Sequence, residues 1–137
     1  MTVVFIVPGN PIGKARPRFN SYTRRTYTLQ STQDYEELVR WIYKAKYGNK
    51  MLTGEISVEI TAFYKIPKSW SKIRKEQAIY DQLKPTVKPD CDNIVKIILD
   101  AINGIAYKDD AAVTDLEFHK KYTLSDPRVE VKINGSD

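Results

Sequence analysis

The chain has very little cysteine or histidine: one of each, Cys91 and His119. A lone thiol forms no internal disulfide, so a reducing compartment, the cytoplasm, is expected. No His/Cys cluster offers the soft donors of a zinc site. No apolar run approaches the ~20 residues of a membrane span, so no membrane partner is expected. The opening "MTVVFIVPGNP" has no basic n-region and too short an apolar stretch for a signal peptide. Internal repeats and low-complexity segments are absent. Acidic residues are missing from Gly9 to Tyr27, where five basic residues stand: Lys14, Arg16, Arg18, Arg24 and Arg25.

The 137 residues are expected to form a single domain, residues 1–137. That length buries about 70% of the unfolded chain's surface, enough to fold without staples. The net charge of +5 points to a polyanionic partner. Thr2 to Val7 reads as a strand buried on both faces, and the Pro- and Gly-rich segment after it as a long loop or arm. Ser31 or Thr32 would cap a helix reaching about Tyr47, with Leu38, Trp41, Ile42 and Ala45 at helical spacing. Trp41 reads as core or dimer interface. In "EISVEITAFYKIP", Ile56, Val58, Ile60 and Ala62 alternate with polar residues, the pattern of a half-buried strand. A short charged helix opened by a serine follows, with Trp70 near its start, then a Pro-bounded linker. Asp90 to Asn103 predicts a helix closed by Gly104. Val113 to Tyr122 reads as a strand, and "RVEVKI" as a final edge strand. The order suggests an α+β domain, a small mixed β-sheet with helices packed against it.

The stretch "KPDCDNIVKIILDAINGIAYKDD" gathers five aspartates, from Asp90 to Asp110. Asp92, Lys96 and Asp100 fall at i, i+4 and i+8 on the polar stripe of the helix, with Asn93 and Asn103 beside them. A helix cap, a solvated face and a turn would account for each feature singly. Together they raise a cost. Carboxylates of Asp90, Asp92 and Asp110 converging within ~4 Å would repel by up to ~4 kcal/mol per pair at an effective dielectric of 20. A divalent cation offsets that repulsion, and oxygen-only ligands select a hard ion, Mg²⁺ or Mn²⁺. Next to a lysine and a cationic arm, such an ion suits phosphodiester hydrolysis, with Lys96 stabilising charge on the phosphate. Lys14, Arg16, Arg18, Arg24 and Arg25, interleaved with Phe19, Tyr22 and Tyr27, read as DNA contacts. Lys120 and Lys121 would add phosphate contacts or face solvent. His119 reads as a surface residue.

The same stretch closely resembles the signature of the RusA-like Holliday-junction resolvases, endodeoxyribonucleases of bacteria and their phages. That pattern is Asp-x-Asp-Asn, a lysine, Asp-Ala-Leu-Asn-Gly and an Asp-Asp pair before a strand. Asp90, Asp92, Asn93, Lys96, Asp100, Asn103, Gly104, Asp109 and Asp110 match it in order, with Ile102 in place of the commoner leucine. The arm "PIGKARPRF" is similar to the N-terminal element of many members. The resemblance implies a RusA-like fold and catalytic residues Asp90, Asp92, Lys96 and Asp110, the three aspartates holding the metal. Asn93, Asp100 and Asp109 would support them. It also implies a homodimer that nicks four-way DNA junctions symmetrically with Mg²⁺, in recombination and repair. Two rivals stay open: a non-catalytic basic DNA-binding module, and a nuclease of the PD-(D/E)xK kind built on Pro89-Asp90 and Glu130-Val131-Lys132.

Overall fold

A computed structural model describes residues 1–15, 18–23, 25–27 and 30–137, with the side chains at 18 and 25–27 outside the described set. Strand β1, Thr2–Pro8, is followed by a small hairpin of β2, Arg18–Asn20, and β3, Arg25–Tyr27. Helix α1 spans Gln30–Tyr47 and β4 spans Thr53–Lys65. Helices α2, Lys72–Ile79, and α3, Cys91–Ile102, come next, then a 3₁₀ turn, Asp110–Ala112, before β5, Val113–Thr123, and β6, Arg128–Ser136. The main sheet has the order β1-β6-β4-β5. Its first three strands pair antiparallel, and β4 pairs with β5 in parallel. The fold is α+β with a mixed sheet, as expected.

One face of the sheet carries the core. Val3, Phe5, Ile56, Ile60, Val131 and Ile133 lie against α1 and α3 and are fully buried. α3 supplies Ile94, Ile97, Ile98, Ala101 and Ile102, an apolar stripe of helical period with its polar stripe left over. It ends where Gly104 takes φ +75°, a conformation that disfavours any side chain with a Cβ. The segment before α3 starts from Ser71, whose side chain accepts a hydrogen bond from the Arg74 amide and so caps α2. No helix among the described residues is long and apolar enough to cross a membrane.

Four expectations are corrected. β1 is buried on one face only: Val3, Phe5 and Val7 point in, while Val4 and Ile6 are exposed, because α1 and α3 both pack on the same face of the sheet. β6 is an inner strand rather than an edge, and it runs on through Asn134 to Ser136. Alternating hydrophobicity reports which face is covered and is silent about lateral neighbours. Helix α1 already begins at Gln30, so Ser31 and Thr32 lie within its first turn. Its inward stripe is Thr32, Tyr35, Glu36, Val39 and Tyr43, and Trp41 is 69% exposed. Tyrosines weigh little on hydropathy yet bury their rings readily, so the rival stripe through Leu38, Trp41 and Ile42 looked the more apolar. The arm also contains regular structure, the β2–β3 hairpin, whose turn is held by Asn20 Oδ1 accepting from the amides of Tyr22 and Thr23.

The exposed edge of β1 is closed by α1. Tyr47 Oη accepts from the Val4 amide at 2.7 Å and donates to the Val4 carbonyl at 2.9 Å, and Lys46 Nζ donates to the same carbonyl at 2.7 Å. Among the glycines the closest approach is at Gly135, where an added Cβ would come within 2.7 Å of Ile56 Cδ1 and 2.9 Å of Leu52 Cβ. Gly135→Ala is therefore expected to destabilise the chain by about 1–3 kcal/mol through overpacking. Urea unfolding reads this as a lower midpoint at unchanged slope.

Candidate metal centre

The polar stripe of α3 faces the inner side of β5. Asp92, Lys96 and Asp100 line one cleft of about 450 Å³ together with Asp110, and Val95, Leu99, Leu116 and Phe118 form its apolar walls. Asp92 and Asp110, eighteen positions apart, thus share a cleft because the 3₁₀ turn delivers Asp110 at the start of β5. Its placement is fixed from two sides. Tyr107 Oη donates to Asp110 Oδ1 at 2.7 Å, and the Asp110 amide donates to Asn103 Oδ1 at 3.0 Å. Tyr107 is fully buried. Burial first, then the hydrogen bond to Asp110, push its hydroxyl well above the usual tyrosine range, so it stays a protonated donor.

Asp90 and Asp109 stand apart. Asp90 is the N-cap residue of α3, yet its side chain makes no capping hydrogen bond. It pairs instead with Lys88 at 2.9 Å and lines an adjoining recess with Thr86, Val87, Lys88, Cys91 and Lys120. The carboxylates of Asp90, Asp92 and Asp110 do not all lie within 4.8 Å of one another, so the expected close convergence is not observed, and Asp90 pairs with Lys88 instead. Asp109 caps the 3₁₀ turn, its side chain accepting from the Ala111 amide at 3.3 Å. Cys91 is exposed on the rim.

Lysine placement is more specific than charge counting suggests. Lys96 Nζ lies 3.5 Å from Asp100 Oδ2 across one helical turn, and Lys14 Nζ lies 3.3 Å from the same oxygen and 3.0 Å from Glu36 Oε2. Lys14 also donates its amide to the Asn93 carbonyl at 2.8 Å. A Cβ at the preceding Gly13 would meet Pro89 Cβ at 2.8 Å and Asn93 Cβ at 3.0 Å. The root of the arm is thus pressed onto the first turn of α3. Burial pushes the Lys14 ammonium down, but its bonds to Glu36 and Asp100 together outweigh this, and its pKa ends above the ordinary lysine value. Lys120, on the inward face of β5, donates to the carbonyls of Val87 at 2.6 Å and Pro89 at 2.7 Å, and sits over the Tyr64 ring. Both ammonium groups, expected on DNA, are engaged with protein groups around α3. Arg16 and Arg24 lie outside the described residues, as do the side chains of Arg18 and Arg25. The hairpin they belong to leaves Phe19 exposed and Tyr22 97% exposed.

Sequence reasoning missed Glu36, a buried acid on the tyrosine stripe of α1, and Tyr107, whose only signal was its place beside the Asp pair. It also missed a second set of donors. Among the described residues, Glu59, Glu117 and His119 bring ligand atoms within 4.8 Å of one another, on the open face of the sheet, where Glu59 stands directly opposite Glu117. Parallel pairing of distant strands is not legible from spacing. The PD-(D/E)xK letters are not assembled: Glu130 and Lys132 line a recess on that open face with Val4, Glu59 and Thr61, and Glu130 is held by Arg128 at 2.7 Å.

Comparison with known proteins gives a consistent result. The family described as Endodeoxyribonuclease RusA matches residues 8–134. A protein of Bacillus subtilis (strain 168), described as "Uncharacterized protein YqaN", is 35% identical over 135 residues, covering 96% of this chain and 94% of that protein.

The Lys14–Glu36–Asp100 bridge has a measurable consequence for stability. Lys14→Met leaves Glu36 without its cation and is expected to cost about 3 kcal/mol. Because the folded pKa of Lys14 is raised, its contribution is fully present at neutral pH. It disappears only as pH climbs past 10.5 and through the folded value. Urea midpoints of wild type and variant should be well separated at pH 7 and should approach one another at the alkaline end.

Proposed function

For a chain that belongs to the RusA endodeoxyribonuclease family, we propose a divalent-metal-dependent endonuclease that resolves four-way DNA junctions by symmetrical nicking. The observation that carries this reading is the cleft shared by Asp92, Lys96, Asp100 and Asp110. Its donors are carboxylate oxygens, the set that a hard divalent cation prefers, so Mg²⁺ fits and Mn²⁺ is the nearest substitute. Asp92 and Asp110 are the ligands facing the cleft. Asp90 is the third, and a DNA phosphate would compete with it for Lys88. The bound ion would supply an activated water and charge neutralisation at the leaving oxygen.

Other roles belong to the chain's own groups. Tyr107 and Asn103 hold Asp110 at a fixed angle, so a ligand at the head of β5 does not have to be ordered on binding. Asp100 holds Lys96 over the cleft, where its ammonium meets the negative charge that builds on a phosphate under attack. The apolar walls, Leu99, Leu116 and Phe118, lower the local dielectric and strengthen both effects. The arm is rooted beside Asn93 through the Lys14 amide, and its arginines would hold the phosphate backbone. As a homodimer working in the cytoplasm, with each protomer acting through one domain, the protein would present one cleft to each of two opposed strands of a two-fold junction. Recombination and repair are the processes such an activity serves.

Wild type and Asp92→Asn, each given a labelled synthetic four-way junction, test this directly. Wild type should nick it symmetrically in Mg²⁺ and leave it whole in EDTA. Asp92→Asn should lose at least about a hundredfold in nicking rate while still shifting the junction on a gel. Glu130→Ala should cut normally. Equal binding by both proteins, with no cleavage of any branched substrate in Mg²⁺ or Mn²⁺, would retire the enzyme in favour of a binding module.

A further inference from the structure

The positive charge of the chain is not spread over it. Residues 65–88, from the end of β4 to the threshold of α3, hold seven basic residues (Lys65, Lys68, Lys72, Arg74, Lys75, Lys84 and Lys88) and two acidic ones, Glu76 and Asp81. The chain has 22 basic and 17 acidic residues, so fifteen of each sign remain elsewhere. The excursion therefore carries a net +5, as does the arm from Gly9 to Tyr27, and the rest of the chain sums to −5. Lys65, Lys68, Lys72 and Lys84 are all exposed. Among the described residues no carboxylate comes within 4 Å of any of them. Helix α1 carries charges of both signs and Lys14 and Lys120 are bonded internally, whereas these lysines leave a local excess of positive charge with no ion pair among the described residues.

Their position along the sheet gives the surface a direction. The inward residues of β5 run Leu116, Phe118, Lys120, Tyr122. The first two wall the carboxylate cleft, and Lys120 lines the recess beside Asp90. Tyr122 packs edge-on against Trp70 at 5.0 Å, and Arg74 lies over the Trp70 ring at 4.0 Å. The excursion is tied to the same strand by the Ile66 amide donating to the Thr123 carbonyl and by Lys121 pairing with Asp81. Six residues of strand separate Leu116 from Tyr122, roughly 20 Å at ~3.3 Å per residue. That distance corresponds to about six base pairs of duplex at ~3.4 Å each.

We propose that the α2 excursion, residues 65–88, is a docking surface for the sugar–phosphate backbone of a duplex DNA arm that leads away from the carboxylate cleft. The proposal rests on the nuclease reading only for where the scissile phosphate lies. Unpaired lysines fit backbone phosphates by charge alone, without reading sequence. The Tyr122–Trp70–Arg74 stack keeps the helix on β5 and the guanidinium on its outer side, so the surface is built before DNA arrives. A surface set some six base pairs from the reaction favours a substrate that continues as duplex beyond the cut.

Fluorescence anisotropy of a labelled four-way junction and a linear duplex, in EDTA over a salt series, decides the matter without any cleavage. Lys68→Gln/Lys72→Gln should weaken binding about tenfold or more at 0.1 M salt. It should also flatten the slope of log K against log salt by up to about two. Lys44→Gln/Lys132→Gln, which removes the same charge from other surfaces, should bind as wild type does. Circular dichroism checks that both variants are folded. The proposal is overturned if the first pair binds like wild type, if both pairs weaken equally, or if wild type binds neither DNA. Nicking in Mg²⁺ at saturating protein is read separately. A wild type that binds but never cuts sinks the nuclease reading, while the anisotropy still judges the surface.

Discussion

Parallel pairing of β4 with β5 is the constraint from which the rest of this structure follows. An antiparallel neighbour could be reached by a tight turn, but a parallel one requires the chain to travel back along the sheet before it can pair. Residues 66–112 make that journey. The return path contains α2, α3 and the 3₁₀ turn, and with them every carboxylate of the candidate centre. α3 must lie along the sheet to close the crossover, and burying its isoleucines there turns Asp92, Lys96 and Asp100 towards β5. The last residues of the path drop Asp110 at the head of the strand they are about to form. Topology thus assembles the cleft, and Tyr107 and Asn103 fix its last member in place.

Charge is sorted by the same route. Lysines whose side chains fall on the helix-covered side, Lys14 and Lys120, become internal ties, one to Glu36 and Asp100 and one to the carbonyls just before α3. Lys65, Lys68, Lys72 and Lys84 are exposed. A half-buried ammonium is tolerated only with partners close by, and here the partners are supplied by the segments that need holding. Of the cleft's carboxylates, Asp100 is held by two ammonium groups, Lys14 and Lys96, while Asp110 is held by the neutral Tyr107 donor and by its own amide's bond to Asn103.

Much of this could be read from the amino acids. The aspartates at helical spacing, the stop at Gly104 and the alternation of β4 are local signals, and local signals survive folding. The centre's aspartates and lysine also stood out as a motif. Part of what escaped depends on contacts between distant parts of the chain, and part on local detail that hydropathy does not report. The inward stripe of α1 was hidden because tyrosines and one glutamate make it look half polar. The inner position of β6 was hidden because alternation is the same for an edge strand and a central one. Lys14 and Lys120 look like free cations until the carbonyls and carboxylates around them are placed, and Asp90 looks like a cap until Lys88 is found beside it.

The closed edge at β1 bears on how copies of this chain could add to one another. A sheet grows by strand addition wherever an edge offers free amides and carbonyls. At β1 the middle of that edge is taken by Tyr47 and Lys46, and Pro8 has no amide to give. Open-ended stacking needs two complementary free edges on every unit, because each new copy must both receive and present one. A strand added at β1 would first have to displace Tyr47 and Lys46 from Val4, so α1 makes this edge the costlier of the two for sheet-to-sheet growth.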